Sequence, residues 1–396
     1  MTAKVKKLAD EAFEYTQKKL FSQKTKMLFD YVVSGNEAHF PTAAEINAYF
    51  PNPGGNSTGM EDGMINGATV LDACLIRYEL DNDSRAAEFA KQIIHGMIHC
   101  AQTAETEGFI PRGVALEDCK THYPDSSLDQ YTMFLFAVHR YWNSAICTAV
   151  ERNVIADICV SIARRAEKNI VPETGYNILN DRGEKSLVGT FWGPGLGNHE
   201  YCRLPMLYLL AYEVTHDLHW FNLYQGIREE AFQKLLPMGR YYAMYALQQM
   251  QSALLICYEV DPDEGWKERY LGVMNTVADY AQDLVDVIWT KINACNDKPM
   301  LHNSFRERNL VPSFAFQNLG YSNAVLAVMT NLSEIDTYYA LQDGLQIAII
   351  TKLVPGRARN PKVFQLLERT YQKIDWSCYD GNQPIYFLQG YYRGLM

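Results

Sequence analysis

The sequence predicts an all-α fold, an (α/α)6 toroid of about twelve helices arranged as six hairpins. Three observations predict it. Amphipathic stretches alternate with stretches that are apolar all round, about six times along the chain. No run of strands at regular spacing and no βαβ pattern interrupts them. The longest polar loops precede the apolar stretches. Amphipathic helices with one wet face suit an outer ring, and helices with no polar face suit an inner ring. The long loops then gather at one end of the toroid, above the N-termini of the inner helices.

Residues 3–33 read as one long amphipathic helix, with Leu8, Phe13, Leu20, Met27, Leu28 and Val32 on its apolar side. A loop over 34–62 contains a short helical piece opened by Thr42 and Glu45, a capping-box spacing. It ends in a Pro- and Gly-rich run through Glu61, Asp62 and Gly63, and a mostly apolar helix runs on to Leu80. Asp83 and Ser84 open an amphipathic helix to about Glu105. The loop 108–127 leads into a nearly all-apolar helix ending at Trp142, and Ser126 and Asp129 at its start again have capping-box spacing. Residues 147–168 are amphipathic, with Val150, Val154, Ile158, Ile162 and Ala166 as one stripe. A Gly-rich loop over 170–202 leads to the apolar run 204–212. The alternation continues with 220–236 amphipathic, 241–259 apolar, 264–294 amphipathic and 318–331 apolar. Helices over 335–353, 360–373 and 384–395 close the chain. Pro237, Pro262, Pro312, Pro355 and Pro361 fall between helices, where the missing N–H costs least.

The chain has 396 residues, 48% apolar and 21% charged, an ordinary globular composition able to bury a large core. No Pro/Gly/Ser linker or composition shift divides it, which predicts one toroidal catalytic domain over 1–396. The net charge of −10 argues against a nucleic-acid partner, which needs a basic face. No segment reaches the roughly 18 apolar residues of a membrane span. The N-terminus is charged and amphipathic rather than a signal core, so a cytoplasmic protein is expected, or a periplasmic one if a leader precedes this sequence. Nine cysteines without paired or CxxC spacing, among them Cys74, Cys100, Cys159 and Cys257, read as free thiols. Oligomeric state is not legible.

Three junctions between a loop and an inner helix carry acids: Glu61 and Asp62, then Asp125 and Asp129, then His199 and Glu200. In a toroid they converge on one pocket. Paired carboxylates are what glycoside cleavage requires, one as proton donor and the other as base or nucleophile. Aromatic residues nearby, Tyr123, Tyr131, Phe191, Trp192 and Tyr201, are candidates to stack on sugar faces. The plainer reading is that Asp62 and Asp129 cap their helices, since a helix N-terminus favours negative charge by about 0.3–1 kcal/mol. That same dipole lowers a carboxyl pKa, so a general acid here needs burial or a second carboxylate beside it. His95 and His99 have zinc spacing without a third ligand, which favours packing histidines over a metal site. The glycines at 189, 193, 195 and 197 lack the strand and the Lys-Ser/Thr of a phosphate loop, and read as a pocket frame. Tyr241, Tyr242 and Tyr245 read as toroid core.

At these junctions the chain resembles the six-hairpin glycosidase superfamily, most of all its unsaturated glucuronyl and rhamnogalacturonyl hydrolases. The similarity lies in Leu128-Asp129-Gln130-Tyr131-Thr132-Met133, in Glu61-Asp62-Gly63, and in the pair His199 and Arg203. Gln130 stands where rhamnogalacturonyl enzymes often carry a second Asp, and Leu204-Pro205 follows Arg203 in place of the usual run. The resemblance implies an oligosaccharide substrate and a mechanism without metal or cofactor. Asp129 would protonate the C4=C5 vinyl ether of an unsaturated uronyl residue and activate water. Asp62 would hold a sugar hydroxyl and adjust Asp129. Arg112, His122 or Arg203 would meet the carboxylate. Glu61, Asp125, Gln130, Trp192, Glu200 and Tyr201 complete the expected substrate-binding set. On a saturated glycoside the two Asp residues would act as an acid/base pair. The alternatives are a sugar epimerase of the N-acylglucosamine 2-epimerase type, whose His-x-x-Glu spacing His199-Glu200 does not match, a polysaccharide lyase using Asn198, His199, Tyr201 and Arg203, and a non-catalytic glycan-binding toroid.

Overall fold

The computed structural model describes residues 3–56, 58–236, 242–294, 310–312, 325–327, 332–374 and 383–396. In chain order its α-helices are α1 (Ala3–Tyr15), α2 (Ala43–Asn47), α3 (Gly63–Asp81), α4 (Ser84–Gln102), α5 (Leu128–Trp142), α6 (Ala149–Asn169) and α7 (Arg203–Thr215). They continue as α8 (Leu218–Leu235), α9 (Met244–Val260), α10 (Glu264–Asp283), α11 (Val285–Ala294), α12 (Leu332–Lys352), α13 (Pro361–Lys373) and α14 (Gln383–Arg393). The fold is an (α/α)6 toroid. Helices α3, α5, α7, α9, α12 and α14 form the inner ring, and α14 packs on both α12 and α3, which closes it. The outer ring is α4, α6, α8, α10, α13 and, against α14, α1.

The two rings differ in sequence because they differ in surroundings. Every residue of α3 from Gly63 to Ile76 is buried, as is almost all of α5 and α9. A helix packed on all sides has no place for a polar stripe. The outer helices keep a wet face and are opened by side chains that satisfy their first N–H groups: Asp83, Thr148, Asp217, Asp263 and Asn360. At the opposite end of the toroid α3, α7 and α9 begin without a capping side chain. The mouth above the inner ring is therefore lined by helix starts whose donors fall to side chains of neighbouring helices, as the Met64 N–H of α3 does to Gln130 Oε1 (3.2 Å).

The far end of the ring is locked by charge. Asp72 of α3 is fully buried and accepts from Arg140 Nε of α5 (2.9 Å), Arg393 Nε and Nη2 of α14 (2.6 and 2.8 Å) and Gln389 Nε2 (2.8 Å). Burial alone would raise its pKa, but the Arg393 and Arg140 guanidinium groups hold it below the usual aspartate range. Beside it His139 lies between Glu213 (2.8 Å) and Glu259 (2.7 Å). Burial disfavours its charge, yet the two carboxylates push its pKa up to about 9. One network thus ties α5 to α3, α7, α9 and α14.

Several elements depart from the sequence expectation. The helix expected over 3–33 ends at Tyr15 and runs out in a π turn, Thr16–Leu20. Ser22 Oγ accepts the Thr25 N–H (3.1 Å) and Thr25 Oγ1 the Met27 N–H (3.3 Å), so hydroxyls compete with the helix for its own donors. The stretch 264–294 is two helices, parted at Leu284. The apolar run 318–331 lies mostly outside the described residues, but Val325–Ala327 pairs antiparallel with Leu310–Pro312 as a short ladder. That place in the inner ring falls to α12. Pro237 and Tyr241 lie outside the described residues. His95 pairs with Glu151 (2.7 Å) and His99 with the Cys119 carbonyl (2.8 Å), so both serve packing between elements. Cys74, Cys100, Cys159 and Cys257 are free and buried. No helix among the described residues is long and apolar enough to cross a membrane.

Candidate active site at the mouth of the inner ring

The loops before α3, α5 and α7 bring Asp62, Asp129, His199 and Arg203 to one place. Asp62 occupies the N-cap position of α3 without capping it, since its side chain accepts no N–H of the first turn. Its Oδ1 instead accepts Gln130 Nε2 (3.2 Å) from the first turn of α5. The same amide donates to the Glu61 carbonyl (2.8 Å), and Gln130 Oε1 accepts the Met64 N–H (3.2 Å). Gln130 is fully buried and fixes the start of α3 against α5, so it positions Asp62 and does not face a substrate.

Asp129 is also free of capping duty. The N-cap of α5 is Ser127, whose Oγ accepts the Gln130 N–H (3.4 Å). Ser126, expected as the cap, points its hydroxyl into the Ile110 carbonyl (2.6 Å). Asp129 pairs with Arg203 Nη1 at the start of α7 and keeps about a third of its side chain, 32%, exposed, while Arg203 is buried at 1%. The capping interpretation thus fails for both Asp62 and Asp129. It holds for Glu200, whose carboxylate accepts the Gly197 N–H (2.6 Å) and closes the turn Asn198–Glu200.

Burial moves Asp62 and His199 in opposite directions. Burial pushes the half-buried Asp62 carboxyl up to about 7, with Glu61 and Asp129 adding repulsion and Arg112 and Gln130 opposing. Burial next to Arg203 pushes His199 down to about 4, so at neutral pH it is an uncharged imidazole. Its Nδ1 is buried without a hydrogen-bond partner. The ring stands edge-on to Tyr242, at 5.4 Å between centroids, and the space it occupies is left by Gly197, where a Cβ would come within 2.6 Å of the imidazole. Tyr242 donates to Asn198 Oδ1 (3.1 Å). Of the tyrosines expected in the toroid core, Tyr242 is half-buried and packs against the core at this rim, while Tyr245 is exposed.

Arg112 donates from Nη1 to the Glu61 carbonyl (3.2 Å), and its charge opposes the rise that burial imposes on Asp62 and Asp125. Its backbone carbonyl passes so near α3 that a Cβ on Gly63 would lie 2.4 Å from it. Glycine after Asp62 thus has a steric reason. Gly63→Ala is expected to destabilise the protein by about 1–3 kcal/mol in chemical denaturation, because backbone rather than a flexible side chain must move.

Four expected substrate-binding residues serve the scaffold. Asp125 is buried and accepts the N–H groups of Ser126 (2.9 Å) and Leu187 (3.3 Å), which pins the 170–202 loop. His122 lies in a separate cleft of about 950 Å3, where Nε2 meets Asp181 (2.9 Å) and Nδ1 the Lys120 carbonyl (3.2 Å). Glu200 is the cap described above. Tyr201 donates to the Gly193 carbonyl (2.8 Å). Trp192 packs edge-on against the Tyr201 ring, with Lys234 Nζ over both, and stays half-buried at the rim.

Three residues beneath Asp62 were not anticipated. Asp30 accepts the Asp62 N–H (3.2 Å) and Asn66 Nδ2 (2.8 Å). Tyr386 of α14, hydrogen-bonded to Gln342 of α12, is near enough to Asp62 and Asp30 to feel both charges. An Asp inside Met27-Leu28-Phe29-Asp30-Tyr31-Val32 was the available signal for the first. Nothing local marks the other two.

No protein-family model matches the chain, and no curated protein sequence matches it. Among solved structures, a crystal structure of a sugar epimerase from a ruminal bacterium is matched over 98% of this chain and 98% of that one, at TM-score 0.48 and 9% sequence identity. So loose a match bears on neither the chemistry nor the substrate of this chain.

Proposed function

We propose that the mouth is the active site of a glycoside hydrolase acting on an uncharged oligosaccharide, with Asp62 as proton donor and Asp129 as the second carboxylate. The observation that carries this reading is Asp62, a helix-start aspartate that does no capping and whose pKa is raised to about 7 beside an ion-paired Asp129. A carboxyl raised toward neutral pH beside a second carboxyl paired with an arginine is an arrangement in which one can act as acid and the other as base or nucleophile. Asp62 delivers its proton to the departing glycosidic oxygen. Asp129 directs water to the anomeric carbon, or attacks it first. These roles exchange the ones the family resemblance implied, because the raised carboxyl is Asp62.

An uncharged sugar is favoured over a uronyl sugar because each nearby guanidinium already meets an acceptor through Nη1, and the Nε without a partner is buried in both Arg112 and Arg203. Arg203 is paired with Asp129, and Arg112 with the Glu61 carbonyl next to Asp62 and Asp125. Trp192 at the rim offers an aromatic edge to a distal sugar ring.

A second reading is epimerisation at the carbon beside a sugar's carbonyl, with His199 as base. The specific observation in its favour is the uncharged imidazole whose Nδ1 has no partner.

Incubation with a panel of neutral and unsaturated-uronyl oligosaccharides in D2O, followed by NMR, separates the two. Hydrolysis predicts new reducing ends from neutral oligosaccharides, no deuterium at C2, and a rate reduced by about 10^2- to 10^4-fold in Asp129→Asn. Deuterium at C2 without bond cleavage, abolished by His199→Ala, would move the assignment to the epimerase. Loss of the uronyl double bond alone would restore vinyl-ether hydration.

A further inference from the structure

The cleft that takes in His122 shares a wall with the mouth. Its volume is about 950 Å3, and it opens between Asn47 and Tyr49, the end of α4, the 118–124 loop and Arg182. The shared wall is the stretch 49–56. Tyr49 lines the cleft, Tyr123 donates to the Phe50 carbonyl (2.5 Å), and a Cβ on Gly54 would lie 3.7 Å from Arg112 Nε. The frame of the cleft is held by hydrogen bonds. Asp181 accepts the Glu105 and Thr106 N–H groups (both 2.8 Å) as well as His122. Asp118 accepts the N–H groups of Lys120 and Thr121 (both 2.9 Å), and His99 meets the Cys119 carbonyl (2.8 Å). Tyr49 and Cys119 both have φ +59°, a left-handed backbone that a bulky residue rarely adopts. The groups that face into the cleft are in the opposite condition. Among the described residues, the side chains of Asn47, Gln102, Glu105 and Lys120 and the Tyr49 hydroxyl have no hydrogen-bond partner. The Arg182 guanidinium lies over the Tyr49 ring, 4.7 Å from its centroid.

We propose that this cleft is a second saccharide site, separate from the catalytic mouth, which holds a sugar unit against Tyr49 with its hydroxyls on Asn47, Gln102, Glu105, Lys120 and Arg182. The choice of a sugar rests in part on the oligosaccharide reading of the mouth, and in part on the mixture of free groups. Lys120 and Arg182 only donate, Glu105 only accepts, and the two amides do both. Neighbouring hydroxyls on a sugar ring donate and accept, so one ligand meets all three kinds. A phosphate or carboxylate would be repelled by Glu105, and an apolar ligand would bury charges without partners. The volume lies within the range of small-molecule sites, about 300–1,000 Å3. Because the frame is already ordered by its own hydrogen bonds, binding requires little rearrangement of backbone.

The test is an NMR titration of full-length protein, 13C-labelled at histidine, with neutral mono- and disaccharides of glucosyl, galactosyl, mannosyl and xylosyl units. The imidazole signals, assigned by single substitution, report on two places: His99 and His122 on the cleft, His199 on the mouth. At least one sugar should move the His99 and His122 signals saturably. Gln102→Ala and Tyr49→Ala should each raise the midpoint of that movement by about tenfold and leave the His199 midpoint at the parent value. If Tyr49→Ala does not fold, Gln102→Ala, on an exposed side chain at the end of α4, decides alone. Cleft signals that no sugar moves, or that keep the parent midpoint in Gln102→Ala, would overturn the proposal. Cleft signals that respond to inorganic phosphate and not to sugar would overturn it too. Turnover of oligosaccharide with unmoved cleft signals would keep the hydrolase and remove the second site. Moved cleft signals without turnover on any sugar would remove the hydrolase and keep the second site.

Discussion

Asp62→Asn is expected to remove turnover, by about 10^2- to 10^4-fold, and to leave the protein more stable than the parent at pH 8. The amide is isosteric and can still accept from Gln130, but it has no proton to deliver. The stability effect follows from linkage. The Asp62 carboxyl is raised to about 7 in the folded chain and returns to the ordinary aspartate range when unfolded. Between those values the folded chain holds a proton that the unfolded chain gives up. Stability therefore falls as pH rises through that window, and the full penalty stands above about 7. Asparagine carries no such penalty. The melting curves of parent and variant should lie together near pH 4 and separate progressively toward pH 8, by an amount on the order of a few kcal/mol at most because water reaches part of the side chain. A variant that loses stability at pH 8 would mean that Asp62 is held there as a structural anion. Stability gained where activity is lost is the expected mark of a site held in an unfavourable state for its chemistry.

The second large effect lies at the other end of the toroid. Asp72→Asn should destabilise the protein by about 3–5 kcal/mol in urea or guanidinium unfolding, because it leaves two buried guanidinium groups, Arg140 and Arg393, facing an amide. Arg393 lies on the last helix and Asp72 on the first inner one, so the loss falls on the closure of the ring. Asp72 is held below the ordinary aspartate range, which gives the opposite pH sign from Asp62. Its contribution is present above the unfolded aspartate pKa and disappears as pH falls below it. The difference between parent and variant should therefore be largest at neutral pH and shrink in acid. A change under about 1 kcal/mol would show that the network is no more than a surface-like ion pair.

Much of this architecture was legible because the two rings impose opposite patterns. The all-apolar runs around Val70, Phe134 and Leu209 could belong only to helices packed on every side. The acids at the starts of α3 and α5 were legible for the same reason, as isolated charges where an apolar helix begins. What remained hidden depends on closure in space. Asp30, from the start of the chain, meets the Asp62 N–H across 32 residues, and Tyr386, held by Gln342, comes near Asp62 only once α14 packs on α3. Gln130 has the spacing of a substrate ligand, and only its three hydrogen bonds to Glu61, Asp62 and Met64 at the start of α3 reveal a clamp. His122 has the residue type expected of a sugar contact, but Asp181, from a distant loop, occupies it. The cap shifted from Ser126 to Ser127 because the Ile110 carbonyl takes the first hydroxyl. The early end of α1 reflects Ser22 and Thr25 competing for backbone donors over a range where hydrophobic spacing alone continued a helix.

The account turns on the protonation state of Asp62, and the pH dependence of kcat/KM on the best neutral oligosaccharide measures it most directly. Asp62 as proton donor predicts a rate that falls above about pH 7 as that proton is lost, with His199 uncharged and silent from pH 5 upward. A rate that stays level to pH 9 and declines only in acid near 4 would contradict it and point to His199 as the working base.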